Sequence, residues 1–188
     1  MVIGYRVPRE IPALTPSLPS TVRSSKLTPA IKLLEKRKIE HCVHQYEHDR
    51  DAKSYGMEAV QKLGVDQARV FKTLVAAATL NKGSAQLVTA MVPVAAQLDL
   101  KALARISAAK RAVMADPDLV ARSSGYVLGG VSPLGQKKRL PSYLDESARD
   151  LATIYVSAGK RGLEIELAPQ ALLDLLDGQF ASITHNGK

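Results

Sequence analysis

Three groups of residues have types and spacings that could support chemistry. The first is His41, Cys42, His44 and His48, a set of donors that zinc accepts. On a helix the three histidines would share one face. The local pattern favours a strand, where His41 points away from Cys42 and His44, so the donors do not converge. His185 is remote in sequence, and no metal is expected. A Cys42–His dyad for nucleophilic attack fares no better, because a single buried cysteine usually serves as a small core filler.

The second group is the run Gly129-Gly130-Val131-Ser132-Pro133-Leu134-Gly135. Ser132 lacks the second glycine of a hydrolase elbow, and Pro133 would disturb the strand–turn–helix geometry that exposes such a serine. Two readings remain: a tight loop whose glycines bring backbone N–H groups up to a ligand, and a plain structural turn. Ser157-Ala158-Gly159-Lys160 superficially resembles a phosphate loop, but no glycine sits five residues before Gly159.

The third group is cationic. Lys137, Lys138 and Arg139 follow the glycine loop directly, and Lys160-Arg161 sit in a later turn. Basic runs are commonly solvated surface, yet two of them beside glycine-rich turns also suit phosphate contacts. Lys72 differs from these. It interrupts the apolar run Val70-Phe71-Lys72-Thr73-Leu74-Val75, where an ammonium is costly unless it meets a partner or a cleft. It reads either as a snorkelling lysine on an edge strand or as a functional one.

The elements that must position these groups lie in a chain of 188 residues, enough for one domain with an appendage. A content of 46% hydrophobic and 23% charged residues excludes wholesale disorder. One cysteine excludes an internal disulfide and fits a reducing cytoplasm. No run approaches the ~18 apolar residues of a membrane span. The formal charge of +8 points to polyanions or anionic surfaces without naming one.

Residues 1–27 stand apart, with Pro8, Pro12, Pro16 and Pro19 among serines and no periodicity. They are expected to be an extended or disordered extension, or to precede a true start near Leu27. Proline would interrupt the amphipathic helix of an organellar transit peptide. This extension carries +3 of the charge, and residues 28–188 carry +5.

From Thr28 the pattern becomes regular. Thr28 caps a helix with Pro29 at its first position. A strand is predicted from Cys42 to Tyr46, and a helix from Ser54 to Leu63 ended by Gly64. Val70–Ala77 and Gln86–Val92 read as strands joined at Asn81-Lys82-Gly83. A helix over Leu100–Ile106, a short extended Val113–Ala115 and a brief helix capped by Asp116-Pro117 come next. Thr153–Ser157 and Leu163–Leu167 form a second predicted hairpin. Pro169–Leu176 reads as a helix stopped by Gly178, with a last strand at Phe180–Ile183. This order favours an α+β domain: a mixed, largely antiparallel sheet or barrel-like core surrounded by helices.

Five segments, in order, carry a resemblance over Thr28 to about Ile183. Thr28-Pro29-Ala30-Ile31-Lys32-Leu33-Leu34, Tyr46-Glu47-His48-Asp49, Val70-Phe71-Lys72-Thr73-Leu74, Gly129 to Pro141, and Ile154-Tyr155-Val156-Ser157-Ala158-Gly159-Lys160-Arg161-Gly162-Leu163 closely resemble the YbaK-type aminoacyl-tRNA deacylases. That family is related to the editing domain of bacterial prolyl-tRNA synthetase. The resemblance implies a trans-editing enzyme that removes cysteine from mischarged tRNA(Pro), and from tRNA(Cys). It implies prolyl-tRNA synthetase as a partner and no cofactor. Deacylation of Ala- or Ser-tRNA, and a catalytically idle tRNA- or synthetase-binding module, are the alternatives.

The implied site centres on Lys72, with Gly129 and Gly130 as backbone donors. Tyr46, Tyr55, Thr73, Ser157 and Glu164 would bind substrate, while Lys137, Lys138, Arg139, Lys160 and Arg161 would grip tRNA beside one pocket. Tyr55 stands where Phe is more usual, and Glu164 where Asp is more usual. Ala158 takes a common Gly position. An aminoacyl ester is already activated, so the protein need only position it and stabilise developing charge. In this family the substrate's own cysteine thiol attacks its ester carbonyl, and the enzyme supplies no nucleophile.

Overall fold

The computed structural model describes residues 27–49, 51–52, 54–80 and 83–185. The extension before Leu27 and the Asn81-Lys82 part of the first hairpin turn lie outside the described residues. α1 (Pro29–Arg37) begins where the side-chain oxygen of Thr28 accepts from the Ile31 N–H at 3.3 Å, with Pro29 in its first turn. It buries Ala30, Ile31 and Leu34 and ends on Lys38, whose φ is 55°. α2 (Tyr55–Leu63) ends on Gly64 at φ 65°, a left-handed cap that glycine reaches without strain.

β1 (Cys42–Gln45), β2 (Val70–Thr79), β3 (Ala85–Pro93), β5 (Arg111–Met114), β6 (Ser142–Asp145), β7 (Ile154–Lys160), β8 (Leu163–Leu167) and β9 (Gln179–Ala181) make one sheet. Its path runs β1-β8-β7-β2-β3-β6-β9, with β5 added beside β2. Two-residue strands β4 (Gln97–Leu98) and β10 (Thr184–His185) pair separately. β2 pairs β7 in parallel, as β6 does β3 and β9, while the remaining ladders are antiparallel. The sheet is therefore mixed and mainly antiparallel, with its path left open between β1 and β9.

Helices cover both faces. Ile31 and Leu34 of α1 and Leu172 and Leu173 of α5 (Pro169–Leu176) pack with Phe71, Met91, Leu144 and Ile165. On the other face, Leu103 of α3 (Leu100–Ile106) meets Ala76, Val88, Val92 and Tyr143. Ala59 of α2 meets Val70, Val94 and Tyr155 there too. Val120 of α4 (Pro117–Ser124) packs with Val75, Tyr126 and Val131.

β2 is the strand whose neighbours leave room for a ligand. One edge pairs with β3 along nearly its whole length, from Phe71↔Pro93 to Thr79↔Ala85. The other edge is shared: β7 pairs only at Val70 and Phe71, and β5 only from Ala76 to Thr79. β7 leaves because it bulges between Ser157 and Lys160, and a bulge bends the strand that carries it. Lys72, Thr73 and Leu74 thus lie where the two strands splay apart. Among the described residues no helix is long and apolar enough to cross a membrane.

Candidate active site

The splay opens into a cavity of about 280 Å³. Lys72 and Thr73 line it from β2, Ser157 and Glu164 from the β7–β8 hairpin, and Tyr55 and Gly129, packed against each other, from the start of α2 and the loop before Val131. Six of the sequence-predicted residues therefore meet in one place, although they are spread over 110 positions of chain.

Lys72 is half-buried, and its Nζ donates to the Val94 carbonyl at 3.1 Å. Burial pulls its pKa below the ordinary lysine value, and no carboxylate pairs with it among the described residues. The ammonium is thus held in a low-dielectric cleft with donors to spare. The Thr73 hydroxyl is buried without a hydrogen-bond partner among the described residues. Glu164 is 8% exposed, and burial pushes its pKa up to about 8. Its carboxyl receives no hydrogen bond among the described residues. Three polar groups therefore line one cavity, the Thr73 hydroxyl and the Glu164 carboxyl without a hydrogen-bond partner among the described residues and the Lys72 ammonium without a carboxylate.

Gly129 has φ 81°, and a Cβ there would lie 2.5 Å from the Tyr55 ring, so the position needs glycine twice over. Its N–H donates to no described residue. Gly130 differs from the sequence expectation. Its N–H already donates to the Val127 carbonyl at 3.0 Å, and it packs against the backbone of Lys160 and Arg161 outside the cavity. Tyr46 also stays out of the lining, in the apolar cluster of Ala59, Val70 and Tyr155. Burial, then the charges of Glu164 and Glu58, raise its phenol pKa above the usual value.

The cationic runs separate. Lys138 and Arg139 line a second hollow beside Leu33 and Leu176, and Arg139 lies 3.8 Å from Asp177. Lys137 packs its stem over Gly125. Lys160 is exposed at the end of β7, whereas Arg161 lies at the rim of the Lys72 cavity, over the Tyr55 ring. Sequence reasoning missed Leu128, Gly56 and Val94 as cavity lining. An apolar pair, Val127-Leu128, just before the glycines was the available signal.

Other candidates are engaged elsewhere. His44 bonds Glu166 at 2.9 Å, His48 bonds Glu58 at 2.8 Å, and His41 meets the Ile39 carbonyl at 2.8 Å. Cys42 is exposed on β1 and is not the core filler expected from the sequence, and it lies away from the cavity. Ser132 is fully buried, and its Oγ accepts from the Leu134 N–H at 3.2 Å as part of a turn. The cavity hydroxyls of Ser54, Thr73 and Ser157 have no histidine or carboxylate within hydrogen-bonding reach among the described residues, so none is an activated nucleophile.

Known proteins resemble this chain in sequence and in fold. A candidate Cys-tRNA(Pro)/Cys-tRNA(Cys) deacylase of Enterococcus faecalis, EbsC, is 40% identical over 162 residues, covering 86% of this chain and 96% of its own. A solved scaffold protein used for computational grafting of linear epitopes superposes with a TM-score of 0.72 at 26% identity, over 85% of this chain and 96% of that one. A candidate trans-editing enzyme for prolyl-tRNA synthetase shares the fold, with a TM-score of 0.68 at 24% identity over 85% and 99% of the two chains. The profile of the aminoacyl-tRNA editing domain matches residues 50–175, a span that holds Tyr55, Lys72, Gly129, Ser157 and Glu164. The chain belongs to the aminoacyl-tRNA editing domain family, the aminoacyl-tRNA deacylases.

Proposed function

We propose that this deacylase acts in trans on Cys-tRNA(Pro), and on Cys-tRNA(Cys), by letting the substrate's own thiol do the attacking. One observation carries the reading. The cavity joins an unpaired ammonium, an orphaned carboxyl and an orphaned hydroxyl, and holds no side-chain nucleophile coupled to a base. Such a site can position and polarise an ester, but the nucleophile must come from elsewhere.

In the proposed step the substrate sulfur bonds to the carbonyl carbon as its proton leaves. The C–O bond to the terminal ribose then breaks, and that oxygen takes up a proton. The products are a cyclic thiolactone and free tRNA. Lys72 stabilises negative charge on the carbonyl oxygen or the departing ribose oxygen, joined by the Gly129 N–H. Glu164 meets the substrate's α-ammonium, whose charge reverses the effect of burial and returns the carboxyl to its ionised form. Ser157 and Thr73 offer hydrogen bonds to the ribose or amino group.

The protein works in the cytoplasm, with residues 28–188 as its domain and residues 1–27 as an extension. It meets tRNA beside prolyl-tRNA synthetase, because one small cavity offers little surface for choosing a tRNA. Lys160, and further from the cavity Lys137, Lys138 and Arg139, provide phosphate contacts.

A panel of charged tRNAs tests the reading. Wild type is expected to discharge Cys-tRNA(Pro), and Lys72→Ala to fail. Survival of Cys-tRNA(Pro) with wild type as long as in buffer would overturn the cysteine assignment, and faster loss of Ala- or Ser-tRNA would reassign the substrate. A substrate with its thiol blocked should resist cleavage. Unchanged cleavage would remove the thiol mechanism and leave deacylation standing.

A further inference from the structure

We propose that Arg161 is a positioning residue that fixes the width of the cavity mouth, and that its guanidinium is not a tRNA phosphate contact. The proposal rests on the deacylase reading for its effect on substrates, but its structural basis is independent of that reading. Sequence pattern puts Arg161 with the basic runs, and its side chain is exposed. Its donors nevertheless turn inward. Nε and Nη2 both donate to the Leu128 carbonyl, at 3.2 and 2.8 Å, and the guanidinium carbon stands 4.7 Å from the centroid of the Tyr55 ring.

Leu128 and Tyr55 are the two walls that this fork joins. Leu128 belongs to the loop that delivers Gly129, and Tyr55 is the first residue of α2. Both line the cavity, and both are partly open to solvent, at 49% and 38% exposure. The Leu128 carbonyl accepts from no other described residue. The Tyr55 ring also meets that of His48, with centroids 5.6 Å apart. His48 is itself tied to the buried carboxylate of Glu58 at 2.8 Å. Tyr55 therefore has one anchored neighbour, His48, and one exposed neighbour, Arg161, which is the adjustable one.

The backbone that carries Arg161 is itself constrained. Gly162 has φ 75°, and a Cβ there would fall 2.6 Å from the Tyr46 carbonyl oxygen. A Cβ on Gly130 would approach the Arg161 nitrogen to 3.2 Å. The turn, the 127–130 loop and the start of α2 are thus fitted to one another, with Arg161 as the side chain spanning all three. Only a planar cation with several donors can stack on a ring and fork onto one carbonyl together. Lysine keeps the charge but loses the fork, which makes Arg161→Lys the informative change.

A phosphate-binding cation and a clamp predict different results for that variant. Removing a charge that binds phosphate lowers the slope of log affinity against log salt by about 1, uniformly across aminoacyl groups, while Lys would largely preserve it. The clamp predicts that Arg161→Ala, like Arg161→Lys, keeps the wild-type salt slope. It predicts a roughly tenfold fall in kcat for Cys-tRNA(Pro) with KM little changed, and weaker discrimination against tRNA(Pro) charged with larger amino acids.

Hydrogen–deuterium exchange of the substrate-free protein gives a second readout, with Arg161→Lys raising exchange over residues 127–130 while the unfolding temperature stays near wild type. Arg161→Lys with wild-type kcat, selectivity and exchange, together with an Arg161→Ala variant whose salt slope falls by one, would overturn the proposal. If wild type discharges no tRNA, the functional reading fails. The exchange result alone then decides the clamp.

Discussion

Glu164 and Glu166 stand two residues apart on β8, on the same face of the sheet, and could hardly differ more. Glu166 accepts from Arg69 at 2.7 Å, from Thr153 at 2.6 Å and from His44 at 2.9 Å, and it bonds the Tyr155 hydroxyl. Arg69 also bonds Thr153 and lies over the Tyr155 ring, 5.0 Å from its centroid. Burial alone would raise the Glu166 pKa, but these hydrogen bonds outweigh it and hold the carboxylate below its usual range. Glu164 has burial without the bonds, and its pKa rises to about 8. One carboxylate has been finished as structure. The other has been left open, and it is the one that lines the cavity.

The contrast extends across the sheet through its register. Tyr155 and Cys42 sit opposite Glu166, while Ser157 and His44 sit opposite Glu164. His44 leans along the strand to bond Glu166, not the glutamate it faces. The open region begins where β7 and β2 part after Phe71, so the unpaired ammonium of Lys72 falls on its side of the boundary. If that boundary separates catalysis from stability, Lys72→Ala should have the largest effect on rate. A fall of about 10²–10³-fold in kcat/KM for Cys-tRNA(Pro) is expected, the usual loss when a charge-stabilising donor is removed from a dry site. Its unfolding temperature should change little, since Lys72 holds no carboxylate in the folded protein. An equal loss of stability would erase the distinction.

Glu166→Gln should show the reverse. Hydrogen bonds to a charged acceptor are worth more than neutral ones, so the variant should lose about 2 kcal/mol of stability at neutral pH. Deacylation per folded molecule should stay within a few-fold of wild type. The depressed pKa sets the sign: the contribution of Glu166 is complete above the ordinary carboxylate range and disappears as pH falls through the lower folded value. Urea unfolding at pH 7 and pH 3 should therefore show the difference between wild type and variant shrinking in acid.

Legibility in the sequence divides along similar lines. The helices announced themselves through Thr28-Pro29, Asp116-Pro117 and Gly64, because caps are local signals. The two hairpins could be read from apolar runs around glycine-bearing turns. β6 escaped notice because Ser142–Asp145 is four residues long and buried throughout, with no alternation to see. Its parallel pairing to β3 and β9 depends on contacts that no local pattern encodes. Within the site, Lys72 was conspicuous as a charge in an apolar run, and the resemblance supplied Tyr55, Ser157 and Glu164. Neither source showed that the Gly130 N–H is already occupied, or that Lys137–Arg139 and Arg161 belong to different places. Such facts depend on which loop packs on which, and only the assembled fold contains them.

Glu164→Gln offers a smaller but sharper test of the comparison. A carboxyl whose folded pKa is raised keeps its neutral form in the native state. Its contribution to stability is therefore full below the unfolded value and is lost as pH rises from about 4.5 towards about 8. An amide stays neutral throughout and avoids that loss. The variant should match wild type at pH 4.5 and unfold higher at pH 8, by roughly 3–6 °C in differential scanning calorimetry. A stabilising change at pH 8 that also slows deacylation would be the mark of a residue kept for substrate and not for folding.

The finest version of the contrast uses two threonines with the same apparent defect. Thr73 and Thr89 both bury a hydroxyl without a hydrogen-bond partner among the described residues, but only Thr73 lines the cavity. Valine is nearly the same shape and carries no polar atom to leave unsatisfied, so either replacement should stabilise the protein by about 1 kcal/mol. The two should diverge in function. Thr73→Val removes a cavity hydroxyl proposed to bond the substrate's ribose or amino group and should cost about tenfold in kcat/KM, a loss of ~1.4 kcal/mol in transition-state binding. Thr89, 1% exposed in β3, should tolerate the change with no kinetic effect. Parallel denaturation and kinetic measurements on the two variants would then place the boundary within a single side-chain type. Equal kinetic losses would mean that the orphaned hydroxyl in the cavity is a packing accident, as the one in β3 is.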